Sequence, residues 1–235
     1  MKKYFIILLV LGSFVLLQAQ CDFEIGETFK YSVKLNFVKA GKSYIKIKDT
    51  DIIHGQDVYH IVSHTQTTGI WDRMFHIREH MESWTDCDSL FSHKYFKDVD
   101  EVNYEKTFEA EFCYEDSVAI LRNNKRKPIT GLVMDWLSMI YYIRTVDLYE
   151  GQEIEMTFFD NNKFKDYSAF VVGQEEVKVK AGKFNCWVVK PTERVEKNMK
   201  KKNELILHLS IDRPRIPVKI TSKGKIGTMV LELIE

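Results

Sequence analysis

Charge imbalance, transmembrane-length apolar runs past the first seventeen residues, and paired cysteines are all missing from this chain of 235 residues. Lysine plus arginine equals aspartate plus glutamate at 34 each, so no global field attracts an acidic polymer, and nucleic-acid binding is disfavoured. No later apolar stretch approaches the roughly 18 residues that a spanning helix needs, so the mature chain is expected to have no transmembrane segment. Cys21, Cys87, Cys113 and Cys186 lie far apart with no Cys-x-x-Cys pair, which excludes a zinc knuckle and a thioredoxin-type redox motif. Gly-x-Ser-x-Gly, His-Glu-x-x-His and P-loop patterns are also absent. No catalytic residue is therefore assigned, no cofactor is expected, and an enzyme is unsupported. Solenoid repeats and low-complexity tracts are lacking as well.

What is present begins at the N-terminus. Lys2 and Lys3 precede an apolar run that ends in Gln18-Ala19-Gln20-Cys21. A basic start, a run too short to span comfortably, and a small residue at a cleavable position form the pattern of a bacterial export signal. Residues 1–19 are expected to be removed after Ala19, leaving residues 20–235 as one β-rich domain in the periplasm. The alternative is a lipid anchor at Cys21. A lipoprotein signal needs a small residue before the acylated cysteine, and Gln20 is bulky, which favours the unanchored form. An oxidising periplasm permits disulfides. Cys87 and Cys113 are expected near one end of strands two steps apart, however, and two steps of about 4.8 Å exceed the usual reach of a disulfide. Free or buried thiols are the expectation.

Period-two alternation dominates the remainder. Phe29, Tyr31, Val33, Leu35 and Phe37 share one face, with Lys30, Ser32, Lys34 and Asn36 on the other, as in a strand with one wet side. Similar segments are read at residues 44–49, 58–67, 74–86, 93–99, 104–114, 153–159, 167–180, 183–190, 204–212, 217–222 and 226–234. The turn Lys180-Ala181-Gly182-Lys183 between two apolar-rich runs signals a hairpin. One segment breaks the alternation: Leu132, Val133, Trp136, Leu137, Ile140, Tyr141 and Ile143 follow helical spacing over residues 132–144. The fold class is thus mainly β, a large curled antiparallel sheet or open barrel with one principal α-helix packed on its concave side.

Two clusters could carry chemistry. Asp135 and Arg144 sit in the otherwise apolar helical segment, and burial without partners would be costly. Asp212, Arg213 and Arg215, in a stretch stiffened by Pro214 and Pro217, are the expected partners, making of Asp135, Arg144, Asp212 and Arg215 a ligand site or a network that pins helix to sheet. His60, His64, His76 and His80 flank one expected hairpin. In a strand, residues four apart are about 13 Å distant, so only cross-strand pairs could share a metal ion. A turn centred on Ile70 would set His64 opposite His76 and His60 opposite His80, as candidate metal ligands against a default of a polar strand surface. Two basic patches, residues 122–127 and 197–202, read as solvated loops that could also meet anionic headgroups.

The order of Gly26-Glu27-Thr28-Phe29-Lys30-Tyr31, Ala40-Gly41, Glu82-Ser83, Met134-Asp135-Trp136-Leu137-Ser138, Tyr141-Tyr142-Ile143-Arg144, Gly173-Gln174-Glu175-Glu176-Val177, Ala181-Gly182-Lys183-Phe184, Ser210-Ile211-Asp212, Arg215-Ile216-Pro217-Val218 and Ile226-Gly227 resembles the bacterial exported proteins called domain of unknown function 3108 (DUF3108). The resemblance spans nearly all the mature chain. It implies an exported β-rich domain and supplies no catalytic residues. Three functions compete: a carrier module for an apolar or amphipathic ligand such as a lipid, a structural or interaction component that meets another envelope protein, and a hydrolase or metal-dependent enzyme. A filled space between sheet and helix would count against the carrier.

Overall fold

A computed structural model describes residues 23–194, 204–224 and 227–235. In chain order the elements are β1 (Thr28–Leu35), β2 (Val38–Ile53), β3 (Gln56–Thr67), α1 (Ile70–Met74), β4 (Ile77–Asp86), β5 (Ser92–Glu101), β6 (Tyr104–Cys113), β7 (Val118–Leu121), β8 (Arg126–Pro128) and β9 (Val133–Met134). They continue with α2 (Trp136–Thr145), β10 (Glu153–Asp160), β11 (Lys163–Val179), β12 (Gly182–Glu193), β13 (Glu204–Ser210), β14 (Pro217–Gly224) and β15 (Gly227–Leu233).

The 15 strands among the described residues join one sheet, in the order β8 back to β1, then β15 back to β9. Antiparallel hairpins build both halves, β1 and β15 weld them together, and among the described residues only β9 pairs in parallel, with β10. The edge strands β8 and β9 are joined by a short connection, and the curl brings the two ends of the sheet to one seam. Aromatic packing rather than a backbone ladder fills it: Phe159 lies 5.3 Å from Phe112 and 5.1 Å from Phe164, centroid to centroid, and Lys127 Nζ donates to the Asn162 carbonyl at 2.7 Å. This is the expected mainly β, open-barrel architecture.

The alternating pattern of β1 puts Phe29, Tyr31, Val33 and Leu35 inside, where they meet Ile45 and Ile47 of β2 and Tyr59 and Ile61 of β3. Helix α2 crosses this concave side and buries Leu137, Met139, Ile140, Tyr141 and Ile143 in the same core. Where β2 crosses β3 a side chain has no room. A Cβ on Gly41 would sit 2.1 Å from the Gln66 carbonyl oxygen, so glycine is required for the strands to approach.

Three expectations change. The helix begins at Trp136, not at residue 132, because Val133 and Met134 pair with Thr157 and Phe158 as β9. Their apolar run fits either period, and the Asp135 cap decides the boundary. The strand expected from residue 74 starts at Ile77, since Ile70–Met74 form α1. Cys87 departs from the expected thiols, being disulfide-bonded, while Cys113 and Cys186 are free as expected. The export-signal pattern with Cys21 and the patch at residues 197–202 lie outside the described residues.

Candidate functional site

The two charges of the helical segment serve opposite ends of α2. Asp135 is its N-cap: the carboxylate accepts from the Leu137 and Ser138 amides at 2.7 and 3.1 Å, while Ser138 Oγ accepts from the Asp135 amide. Ser83 of β4 and Ser92 of β5 donate their hydroxyls to the other oxygen at 2.5 and 2.6 Å. Burial pushes the Asp135 carboxyl up, and these hydrogen bonds offset only part of that rise. Ser83, Ser92 and Asp135 are all fully buried, so no substrate can reach them. The cluster fastens the start of α2 to the sheet.

Arg144 fastens the other end. Its guanidinium forms a bidentate pair with Glu27, both contacts at 2.7 Å, and its Nε donates to the Arg215 carbonyl. Phe23, Phe29 and Tyr141 surround it, with ring centroids 4.5, 5.0 and 4.7 Å from the guanidinium carbon. Arg215 donates in return to the Arg144 and Val146 carbonyls, capping the helix C-terminus. Burial, then the nearby Arg213, lowers the Arg215 pKa. Of the four residues expected to form one network, Arg144 and Arg215 meet. Asp135 belongs to a separate cluster at the helix start, and Asp212 interacts through its carbonyl, which accepts from Ser210 Oγ. Glu27 was not expected. It lies in the Gly26-Glu27 segment before β1, and sequence offers no signal that it crosses to a helix 117 positions away.

The histidines occupy a different surface. Because α1 takes up residues in the β3–β4 connection, the register places His64 opposite His80 and His60 opposite Trp84, not His64 opposite His76. His60 Nε2 and His80 Nε2 both contact Glu82, at 2.5 and 2.8 Å, and His60 Nδ1 contacts Asp49 at 3.0 Å. The His60 ring stacks on Trp84 at 4.4 Å, and the His64 and His80 rings lie 6.0 Å apart. His76 is held by other carboxylates, Asp72 and Asp100. Burial alone would push the Glu82 carboxyl up, but the hydrogen bonds from His80 and His60 outweigh it and hold it below its ordinary value. The result is a carboxylate bridging two imidazoles.

The concave side is filled. Trp136 packs against Phe158 at 4.5 Å, Phe158 against Tyr167 at 4.8 Å, and Tyr31, Tyr59, Tyr141, Ile47, Ile61 and Met139 are inaccessible to solvent. A cleft of about 290 Å³ opens instead at the surface, between Phe91, Tyr142, Leu132, Met134 and Met156, with Glu155, Asp166 and Arg194 also lining it.

A row of exposed apolar side chains marks one end of the barrel. The β1–β2 turn, the β3–β4 connection and the β5–β6 turn fall at this end because successive hairpins alternate ends. They present Phe37, Val38, Ile70, Met74, Phe75, Val102 and Tyr104, of which Phe37 is 86% exposed and Ile70 68%. Helix α1 buries none of its residues. It is held by Asp72, which pairs with Arg78 and accepts from Thr67 Oγ1. Lys39, Arg73 and Lys106 are exposed nearby, with Glu105 as a charge of opposite sign.

A family profile described as "Protein of unknown function (DUF3108)" matches residues 30–234. A search among curated proteins finds no match. Among solved structures, the chain is similar to a β-barrel-like protein of domain of unknown function DUF1849 from Brucella abortus, at 12% identity and TM-score 0.57, over 90% of this chain and 96% of that one. Weaker similarity links it to a candidate lipoprotein from Parabacteroides distasonis ATCC 8503, at 10% identity and TM-score 0.37, over 90% and 95% of the two chains. A candidate exported protein with a YmcC-like fold from Bacteroides fragilis NCTC 9343 gives 10% identity and TM-score 0.38 over the same shares. The likeness to the Brucella abortus protein concerns the fold alone.

Proposed function

Since the chain belongs to the DUF3108 family of proteins of unknown function, we propose that it is an exported envelope protein, built from one β-rich unit, that works by surface contact through the apolar rim at one end of its barrel. The observation that carries this reading is the set of seven exposed apolar side chains on three turns at one end, including a helix that buries nothing. Contiguous apolar surface of this kind is uncommon on a protein that has no contact to make. The apolar face of a lipid bilayer interface is the occupant that such a rim suits, with Lys39, Arg73 and Lys106 beside it for the headgroups.

Export is supported by the basic and apolar pattern of residues 1–19 and by the disulfide at Cys87, since such bonds persist in oxidising compartments. The unanchored form is favoured by Gln20 before Cys21. Flotation with vesicles of mixed zwitterionic and anionic lipid tests the rim. The mature protein is expected to float, and the triple variant Phe37→Ser, Ile70→Ser, Phe75→Ser to bind at least about tenfold more weakly, because each large apolar side chain fully buried is worth roughly 1.5–3 kcal/mol. Equal flotation of both proteins, or none of the mature protein, would sink the reading.

A second reading has its own observation. The surface cleft of about 290 Å³, lined by apolar Phe91, Leu132, Met134 and Met156 and by charged Glu155, Asp166 and Arg194, is close to the lower limit of small-ligand sites, roughly 300 Å³, and suits a short amphipathic ligand. The packed interior counts against a carrier that encloses a bulky lipid. Native mass spectrometry of protein from its own envelope separates the two, because a stoichiometric copurifying ligand favours the cleft.

A further inference from the structure

At the end of the barrel opposite the apolar rim, the tip of the β2–β3 hairpin folds toward β6. Its turn residue His54 places Nε2 at 2.9 Å from Glu111 Oε1 and 3.6 Å from Cys113 Sγ. Glu111 and Cys113 are two apart on β6, so their side chains leave the same, outward face of the sheet. Their ligand atoms and that of His54 all lie within 4.8 Å of one another. Two strand residues and one turn residue, distant in sequence, thus converge an imidazole, a carboxylate and a thiol on one point.

We propose that His54, Glu111 and Cys113 form a binding site for a divalent cation of the zinc class. The spacing fits. A tetrahedral zinc ion with bonds of about 2.3 Å to sulfur and about 2.0–2.1 Å to nitrogen separates those two ligand atoms by roughly 3.6 Å, the distance found between Cys113 and His54. The nitrogen-to-oxygen distance of such an ion is roughly 3.3 Å. The observed 2.9 Å is that of an N–H···O bond, and exchanging the proton for a metal requires the exposed His54 ring to withdraw by a few tenths of an ångström. His54 and Glu111 side chains are 40% and 41% exposed, so neither is fixed by packing.

The chemistry is balanced as well. On binding, Cys113 loses its thiol proton to solvent, and the dication is neutralised by one thiolate and one carboxylate with an imidazole nitrogen as the third ligand. Three protein ligands leave the fourth position to water, the arrangement of open rather than purely structural zinc sites. Burial, and then Glu111 and Asp116, push the free thiol's pKa up, so the unmetallated cysteine is protonated and a metal must compete with that proton. His93 has its pKa lowered by burial, with the nearby His54 adding to it. It is buried, with Nε2 on Asp86 at 3.3 Å and Nδ1 without a hydrogen-bond partner.

Cobalt(II) is the probe, because a cobalt thiolate absorbs by ligand-to-metal charge transfer and zinc displaces it. Titration of the full mature chain is expected to give that absorption at one cobalt per chain, reversed by zinc. Cys113→Ser should abolish the band, and His54→Ala and Glu111→Gln should each weaken cobalt binding at least about tenfold, no less than outer-shell changes do elsewhere. His60→Ala, in the separate histidine row, should leave it unchanged. All three ligand positions are at the surface, and circular dichroism confirms that the variants fold. Absence of the charge-transfer band in the mature chain, or a band that survives Cys113→Ser, overturns the proposal. So does a signal lost with His60→Ala but kept with His54→Ala, which would assign the metal to the other row.

Discussion

At Asp135 one side chain does three jobs. It caps α2 through two amides, and it receives the hydroxyls of Ser83 and Ser92 while no solvent reaches it. Removing a cap costs about 0.5–2 kcal/mol, and leaving buried hydroxyls without acceptors costs roughly 1–3 kcal/mol more. Asp135→Ala is therefore expected to lower the stability measured by urea unfolding by about 3 kcal/mol. Because burial raises this carboxyl's pKa above its ordinary 3.8, the stabilising linkage is complete below that value and is lost as pH rises through the folded pKa. Asp135→Asn, which cannot ionise, should flatten that part of the pH profile. Unchanged stability in the alanine variant would mean that the cap and its serine partners are dispensable. The charge at this position was legible in the sequence as a group needing partners, but the partners expected were Asp212 and Arg215. Serine at positions 83 and 92 gives no signal, since a hydroxyl on a strand is equally at home in solvent.

Elements were legible where their period was long and clean. The alternation of β1 and the helical spacing of Leu137, Ile140, Tyr141 and Ile143 survive in the structure because each fixes one buried face. Helix α1 was not legible: at five residues it has too few turns for periodicity, and apolar Ile70, Met74 and Phe75 face solvent. Missing it left the expected partner of His64 at His76, four residues short of His80, where the structure places it. What holds so short a helix is the Asp72 carboxylate, whose pKa is lowered to about 2, first by the hydrogen bond from Arg78 and then by that from Thr67. A carboxyl depressed on folding contributes stability above its ordinary 3.8, and that contribution is lost as pH falls toward 2. Acidification from pH 4 to pH 2 is therefore expected to release α1, seen as a change in Trp71 fluorescence, and Asp72→Asn should show the released signal at neutral pH. A Trp71 signal indifferent to both would show that the pair does not hold the helix. The apolar rim depends on α1, so the same acidification weakens vesicle binding if the rim is the contact surface.

For the molecule as a whole, the sequence showed that a large sheet must curl but not how its edges would be managed. Unpaired edges are templates for aggregation, and here β8 and β9 are brought together at a seam lined by Phe112, Phe159 and Phe164 rather than laddered to each other. Neither edge could be read beforehand, because β8 has three residues and β9 two, too few for any alternation. The cost of such a closure is that side-chain contacts, chiefly the aromatic rings with the Lys127–Asn162 hydrogen bond beside them, hold the seam in place of a backbone ladder. Phe159 is inaccessible to solvent and touches both other rings, so Phe159→Ala removes the shared contact as well as opening a cavity. The expected loss is about 3–5 kcal/mol, the range for buried Phe→Ala changes, and it has a spatial signature. Amide hydrogen exchange should accelerate first in β7, β8, β9 and β10, while the weld between β1 and β15 on the far side of the barrel keeps its protection. If exchange rises uniformly, or the seam is no faster than the weld, then the sheet is held closed by its curvature and the helix beneath it rather than by the aromatic seam.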